Sequence, residues 1–297
     1  GRGRQALEQV HAAFADKVNW QWQGFEQCGW SGHQFRRTVI DRPADPAGTF
    51  EIRYHFHVNE SVAEETLESI RIAIERPWLF ELRLNDVPLE LDAGRRWFDP
   101  DMAAIPAAGA ARRGRNTLTL NADAFRPLHQ IAPVYVLGDF SVRPGRKGFS
   151  IESPRPPALG DWPQQGLSFY PAAVRYVFRF QLSTETAALL LTANHFAGAL
   201  LSASIDGKPA GDILHPPYER LVKGPFSRGS HELGVDVYGK MKNMMGSHLT
   251  GPGLWGRWTT EYYPTPQPPG AEYRFEPTGL LDEPILRVLE PDPGTAS

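Results

Sequence analysis

A series of short features occurs twice in this chain, in the same order. Each occurrence has an alternating aromatic strand, an apolar strand, a turn pair, a proline, a loop with an aromatic and an acid, and an Arg-Gly turn before a last strand. The turn pairs are Asn85-Asp86 and Asp206-Gly207, about 120 positions apart. One shared turn would mean little, but an ordered series at a near-constant offset predicts one structural unit used twice.

The hydrophobic pattern of each copy is that of β-structure. Apolar and polar residues alternate along 50–58 in the first copy and along 174–182 in the second. A period of two residues indicates a strand with one buried face. The continuous apolar run AALLLTA, 187–193, predicts a strand buried on both faces. Between the first two strands, Ser61 and Glu64 have the spacing of a helix capping box.

The predicted fold is all-β: two tandem jelly-roll β-sandwiches behind a short N-terminal helix. The helix follows from Leu7, Val10, Phe14 and Val18, which share one helical face. Each copy has the size of a sandwich. We predict a helix and linker at 1–19, a first sandwich at 20–145, a Pro/Gly-rich linker at 146–163, and a second sandwich with an aromatic tail at 164–290.

Composition limits the possible partners. The formal net charge is −3, so neither nucleic acid nor an anionic membrane is an expected partner. The single cysteine, Cys28, allows no disulfide within the chain and leaves the compartment open. No apolar run is long enough to span a bilayer, and no apolar core follows the N-terminal arginines, so we expect a soluble chain without a signal peptide.

The turn and loop residues of both copies resemble a known pattern. They are Leu84-Asn85-Asp86, Trp97-Phe98-Asp99 and Gly114-Arg115-Asn116-Thr117-Leu118 in the first copy, and Ile205-Asp206-Gly207, Pro217-Tyr218-Glu219 and Gly229-Ser230-His231-Glu232-Leu233 in the second. In this order they are similar to the tandem galactose-binding-like, jelly-roll domains of glycoside hydrolase family 2 and of rhamnosidase-like multidomain glycosidases. The resemblance covers residues 48–290.

The resemblance implies a non-catalytic role. It suggests a carbohydrate-binding or scaffolding region of a large glycoside-hydrolase-like protein, with carbohydrate and the catalytic domain of the same parent protein as partners. In such proteins the sandwiches flank a separate catalytic barrel. No barrel fits this sequence, because its strands never alternate with helices of sufficient length.

Sugar recognition points to particular residue types. The apolar face of a pyranose ring stacks on aromatic side chains, while its hydroxyls pair with Asp, Asn, Arg and His on loops. The candidates are Trp97, Asp99, Asn194, His195, Tyr218, Asn243, His248, Trp255 and Trp258. Trp97 and Tyr218 are equally typical of rings that cover the open edge of a sandwich.

Catalytic and metal signatures are not found in the sequence. It has no GxSxG, P-loop, GxGxxG after a strand, or HExxH. We therefore predict no catalytic residues, no metal ligands and no cofactor, with a structural calcium possible. Two alternatives stay open. One is a self-contained glycoside hydrolase using loop carboxylates, such as Asp99 with Asp101 or Glu261 with Glu272; the other is a protein-docking module without sugar binding.

Overall fold

The chain is all-β with a short N-terminal helix, which confirms the predicted fold class. The structure, a computed structural model, describes residues 12–22, 48–91, 96–126, 128–129, 131–245 and 269–289. The helices are α1 (Ala12–Trp22), α2 (Glu64–Ser69) and α3 (Met241–Met245). None of the helices in these ranges is long and apolar enough to cross a membrane.

The chain divides into two compact units. The first contains Gly1–Pro154 and Gly251–Tyr273, and the second contains Arg155–Thr250 and Arg274–Ser297. The segment predicted as a linker, 146–163, contains a strand of the first unit, Phe149–Glu152. This strand was not predicted, because its alternation of apolar and polar residues is only four residues long and lies among Gly and Pro.

In the described residues of the first unit, two sheets enclose a hydrophobic core. Its strands are β1 (Phe50–Val58), β2 (Arg71–Glu75), β3 (Glu81–Leu84), β4 (Val87–Pro88), β5 (Arg96–Trp97), β6 (Asp99–Pro106), β7 (Gly114–Ala122), β8 (Tyr135–Leu137), β9 (Ser141–Pro144) and β10 (Phe149–Glu152). One sheet has the order β4-β3-β7-β1-β10-β9 and the other has the order β5-β6-β2-β8. Side chains from both sheets form one buried cluster.

The described residues of the second unit form a core of their own and three sheets. Its strands are β11 (Ala173–Leu182), β12 (Thr186–Thr192), β13 (Phe196–Ala197), β14 (Leu200–Ile205), β15 (Lys208–Ile213), β16 (Glu219–Phe226), β17 (Gly229–Tyr238), β18 (Gly279–Leu280) and β19 (Ile285–Leu289). The sheets have the orders β11-β17-β14-β15, β16-β12-β19 and β13-β18. Buried side chains from these strands form a separate cluster.

The same strand order is present in both units. The order β4-β3-β7-β1 of the first unit corresponds to β15-β14-β17-β11 of the second, and β6-β2-β8 corresponds to β16-β12-β19. All of these corresponding pairs are antiparallel. The repeated features of the sequence therefore belong to one arrangement of strands used twice.

Alternation along the strands builds both cores, because inward side chains leave water while outward ones stay solvated. In β11, Tyr176 and Leu182 belong to the core of the second unit. The expectation that 187–193 is buried on both faces is wrong: Leu189 and Leu191 are fully buried, but Leu190 points to the outer face and is half-buried.

A tight hairpin turn follows β3 in the first unit and β14 in the second. Asn85 and Asp86 have φ values of 50° and 68°, and Asp206 and Gly207 have 50° and 74°. Positive φ at both central residues is the conformation that matches the twist of a two-residue hairpin, and Asn, Asp and Gly tolerate it best. The turn pairs in the sequence marked these hairpins correctly.

A group of polar hydrogen bonds, which we call a clasp, connects each hairpin turn with the start of β7 or β17 and with the loop before that strand. In the first unit, Asn116 accepts from Asn85 Nδ2 (2.7 Å) and the Arg112 N–H (2.9 Å), and it donates to the Arg112 and Gly114 carbonyls. We call this the Asn116 clasp. In the second unit, His231 contacts Asp206 Oδ2 (2.7 Å) and the Ser227 carbonyl (2.8 Å). We call this the His231 clasp.

The predicted capping box is wrong, although its helix is present. The N-cap of α2 is Ala63, which has no side-chain hydrogen bond at the cap. The Ser61 hydroxyl donates instead to Asn59 Oδ1 at 2.9 Å. Asn59 in turn donates to Glu152 of β10. The Ser61 hydroxyl thus belongs to a hydrogen-bonded group that includes a residue distant in sequence, and it does not cap the helix.

Helix α1 is anchored to the first unit by one ring and one carboxylate. Trp20 is buried, with its ring edge-on to Phe125 at 5.2 Å. The Ile131 N–H donates to Asp16 Oδ1 at 2.8 Å. Burial raises the pKa of Asp16 to about 6, although hydrogen bonds from Ile131 and Trp20 act in the opposite direction.

Asp16→Asn is expected to stabilise the first unit at pH 8 more than at pH 4. The folded state holds the Asp16 proton up to about pH 6 and the unfolded state only to its ordinary pKa of 3.8, so the wild type loses stability as pH rises through this window. Asparagine keeps the acceptor without a charge, and the gain should be about 1–3 kcal/mol at pH 8. Urea unfolding at both pH values measures it, and a pH-independent difference would contradict the assignment.

Candidate functional site

The connection between β2 and β3 meets the start of β6 at one end of the first unit, which we call the first loop end. The Arg76 N–H donates to the Asp101 carbonyl at 2.8 Å. The guanidinium of Arg76 also binds the Asp101 carboxylate, with Nη2 at 2.8 Å and Nε at 3.1 Å from Oδ2. This doubly bonded pair fixes two segments that are distant in sequence.

Phe98 forms the tip of the first loop end. Its side chain is 64 % exposed and its φ is 64°. It lies between Trp97 and Asp99, which face each other as partners of β5 and β6. A left-handed backbone is unfavourable for a bulky residue, and an exposed ring gains little from the hydrophobic effect. The packing of the fold explains neither the strained backbone of Phe98 nor the exposure of its ring.

Trp97 supports this tip from behind. Its ring is half-buried, with centroid distances of 5.2 Å to Tyr135 and 6.0 Å to Phe98. Tyr135 pairs with Ala73 and therefore lies on the same, outer face of its sheet. Ala73 and Ala104 are buried on that face although they are not part of the core cluster. The contact between the Trp97 and Tyr135 rings therefore joins β5 to β8.

Other aromatic and charged side chains belong to the same segments of the first loop end. Asp99 Oδ1 accepts the Asp101 N–H at 2.7 Å, while the side chain stays exposed. Trp78, in a 3-10 turn at Pro77–Leu79, is 46 % exposed, and the Arg96 guanidinium carbon lies 5.3 Å from the centre of its ring. The first loop end therefore combines aromatic faces with carboxylate and guanidinium groups.

The second unit has a corresponding loop end. Its Ala193 N–H donates to the Tyr218 carbonyl at 2.9 Å, as Arg76 does to Asp101 in the first unit. Asn194 and His195 are exposed there, and the half-buried Tyr218 packs edge-on against Phe196 at 5.2 Å. The structure thus brings three of the predicted site residues to one place, which we call the second loop end.

The second loop end carries an imidazole beside a carboxylate. His195 Nδ1 lies 3.4 Å from Asp282 Oδ2, and both side chains are about two-thirds exposed. The His195 carbonyl accepts the N–H groups of Leu281 and Asp282, at 2.9 and 3.2 Å. Hydrogen bonds from the Glu283 N–H and from His195 lower the pKa of Asp282. Asp282 is therefore ionised at neutral pH.

The remaining predicted site residues lie elsewhere. Asn243 is buried in α3, where it donates to the Glu276 carbonyl (2.7 Å) and to Thr278 Oγ1 (3.2 Å) and accepts the Glu276 N–H (2.9 Å). Its amide is used within the second unit, and neither loop end includes it. His248, Trp255 and Trp258 lie outside the described residues and stay predictions.

Two residues of the first loop end were not selected from the sequence. Trp78 follows Pro77 where the alternation of β2 stops, and that interruption was a usable signal for an exposed aromatic. Phe98 was quoted within Trp97-Phe98-Asp99, but sequence does not reveal which of two adjacent rings points outward. Backbone φ decides it here.

Metal ligands do not converge in the described part of the chain. Within those ranges, no group of three or more His, Cys, Asp or Glu side chains could hold a metal ion. The structural calcium therefore stays a prediction from the sequence.

Comparison with known proteins gives remote structural likenesses. No family model and no curated protein matches the chain. A rhamnosidase from Novosphingobium sp. PP1Y is similar at 15 % identity over 81 % of this chain and 22 % of its own, with a TM-score of 0.31. An alpha-L-rhamnosidase from Streptomyces avermitilis, complexed with L-rhamnose, is similar at 15 % identity over 81 % and 24 %, with a TM-score of 0.28.

A third likeness is to a lectin from Pleurotus ostreatus, at 10 % identity over 65 % of this chain and 68 % of its own, with a TM-score of 0.21. This chain spans less than a quarter of the length of either rhamnosidase. Fold and loop ends together define an all-β protein of two repeated units with an aromatic and polar surface on the first.

Proposed function

We propose that the chain is a carbohydrate-binding module that holds a sugar at the first loop end. The observation that carries this proposal is Phe98, a ring that is 64 % exposed on a backbone with φ of 64°. Unfavourable backbone geometry persists where the surroundings impose it, and such positions cluster at binding sites. A ligand that covers the ring would explain why an aromatic residue stands at this tip.

The chemistry around Phe98 suits a sugar. A pyranose has an apolar face that packs on an aromatic ring and hydroxyls that need hydrogen-bond partners. Phe98 and Trp78 offer rings, Asp99 offers an acceptor, and Arg96 offers donors beside Trp78. The ion pair of Arg76 with Asp101 fixes the platform before any ligand binds, which limits the entropy lost on binding.

The role that we propose is non-catalytic. Asp101 is paired with Arg76, and Asp99 Oδ1 accepts the Asp101 N–H, so both carboxylates help to hold the loop in place. We further propose that the chain is an accessory region of a larger glycoside-hydrolase-like protein and that its second partner is the catalytic domain of that protein.

Phe98→Ala is expected to weaken binding of the best sugar from a glycan array by about tenfold or more, because it removes the stacking surface. Phe98→Gly should weaken binding as strongly. It should also raise the free energy of unfolding of the first unit by about 1 kcal/mol, since glycine adopts positive φ without strain. Calorimetric titration and urea unfolding measure the two effects.

Leu128→Ala is the matched control, because Leu128 is 40 % exposed in the same unit and lies outside the first loop end. It should leave sugar affinity unchanged. A sugar that binds wild type and Phe98→Ala equally well would refute the proposed site. Turnover of an aryl-glycoside that a single carboxylate change abolishes would favour the hydrolase alternative. Absence of any glycan hit, with a catalytic domain bound in trans, would favour docking.

A further inference from the structure

We infer that the second loop end is a separate binding site for a neutral sugar, so that one chain binds two sugars. The inference rests on the proposed function, which it extends to the second repeat. Phosphate or other anionic ligands do not suit this end, because two carboxylates would repel them. These are Asp282 and the exposed Glu219, which follows Tyr218 in the chain.

The two loop ends occupy the same place in the repeat. β6 pairs with β2 as β16 pairs with β12, in the same antiparallel sense. The bond from Arg76 N–H to the Asp101 carbonyl has its counterpart in the bond from Ala193 N–H to the Tyr218 carbonyl, at 2.8 and 2.9 Å. The strand ends under the two loop ends are therefore equivalent, although β5, which leads to Phe98, has no counterpart among the described strands of the second unit.

Backbone hydrogen bonds fix the segments that form the second loop end. The His195 carbonyl accepts two successive backbone N–H groups, those of Leu281 and Asp282, so the exit of β12 is tied to the segment before β19. Asp282 Oδ1 accepts the Glu283 N–H at 2.9 Å, which orients its carboxylate. The ring of Phe196 packs against that of Tyr218. These contacts hold the segments that carry His195 and Asp282 in fixed positions.

The chemistry of this site differs from that of the first. Phe98 is an exposed ring, whereas Tyr218 and Phe196 are half-buried, so stacking contributes less here. The exposed groups are the Asn194 amide, the His195 imidazole and the Asp282 carboxylate, which together donate to and accept from hydroxyls. A sugar would be held mainly by hydrogen bonds, and we expect weaker affinity than at the first loop end.

Two-dimensional ¹H–¹⁵N spectra of the full chain test the inference, with methyl glycosides of common hexoses and deoxyhexoses as probes. We expect two separate groups of shifted amide signals, one near residues 97–101 and one near 194–195 and 281–283. The second group should persist in Phe98→Ala. It should be lost in Asn194→Ala combined with His195→Ala, where the apparent dissociation constant rises at least tenfold. His57→Ala, an exposed histidine of the first unit, is the control.

The outcomes separate the two proposals. Shifts at the first loop end alone, lost in Phe98→Ala, would overturn the second site and leave the proposed function standing. Shifts at the second loop end alone would support the second site and overturn the first. Absence of shifts at both ends with every glycoside would overturn both.

Discussion

Asn116→Ala is expected to lower the free energy of unfolding of the first unit by about 3 kcal/mol. Asn116 is fully buried and its amide makes four hydrogen bonds. Alanine would leave the Arg112 N–H and the carbonyls of Arg112 and Gly114, in bonds that are partly buried, without their side-chain partner. A buried group left without its hydrogen bond costs about 1–3 kcal/mol, and relaxation of the loop recovers part of the total.

Asn121→Ala is the matched control for this prediction. Asn121 lies on the same strand, β7, but it is only partly buried and pairs with Glu51 and Glu81 across the sheet. Its loss should change stability by less than about 0.5 kcal/mol. Urea unfolding of both variants measures the difference. A cost below about 1 kcal/mol for Asn116→Ala would mean that the clasp is not a principal support of the hairpin.

The second unit is expected to lose stability as pH rises through the pKa of His231. Both partners of its ring, Asp206 Oδ2 and the Ser227 carbonyl, are acceptors, so both ring nitrogens must donate and the imidazole must carry two protons. The Asp206 and Ser227 hydrogen bonds raise the pKa of His231, against the effect of burial. The folded state therefore holds the proton to a higher pH than the unfolded state, and the stabilisation is lost above it.

The first unit suggests the variant that tests this. Its clasp uses Asn85 and Asn116 where the second unit has Asp206 and His231. Asp206→Asn combined with His231→Asn copies that uncharged arrangement and should flatten the decline in unfolding midpoint between pH 6 and pH 9. His215→Ala, which removes an exposed histidine of the same unit, should leave the decline unchanged. Parallel curves for the wild type and the double variant would show that His231 is not the titrating group.

The strands and the repeat were predictable because their signals are local or periodic. The alternation in 50–58 coincides with β1, and the turn pairs Asn85-Asp86 and Asp206-Gly207 coincide with the two hairpin turns. Contacts between distant residues were not predictable. Ser61 has the spacing of a helix cap, but its hydroxyl binds Asn59, and no local pattern reveals that competition.

The residues of the loop ends were predictable only in part, because their residue types are visible in the sequence but their contacts are not. The sequence placed Trp97, Asp99, Asn194, His195 and Tyr218 on loops, and the structure places them at corresponding ends of the two repeats. It could not reveal that Trp97 packs on Tyr135 while Phe98 points outward, because that choice depends on a left-handed backbone and on a strand far along the chain. The role of these residues in binding stays a prediction.

The clasps lie at the opposite pole of each unit from the loop ends, since β6 begins at Asp99 and ends near the hairpin turn at Pro106. Because of this separation, the loop end of each repeat can be changed without changing its clasp. Peptides grafted at a loop end, or residues randomised there, would leave the hydrogen bonds of the clasp intact. A library built on 96–99 and 194–195 would thus offer two independently evolvable surfaces on a single polypeptide.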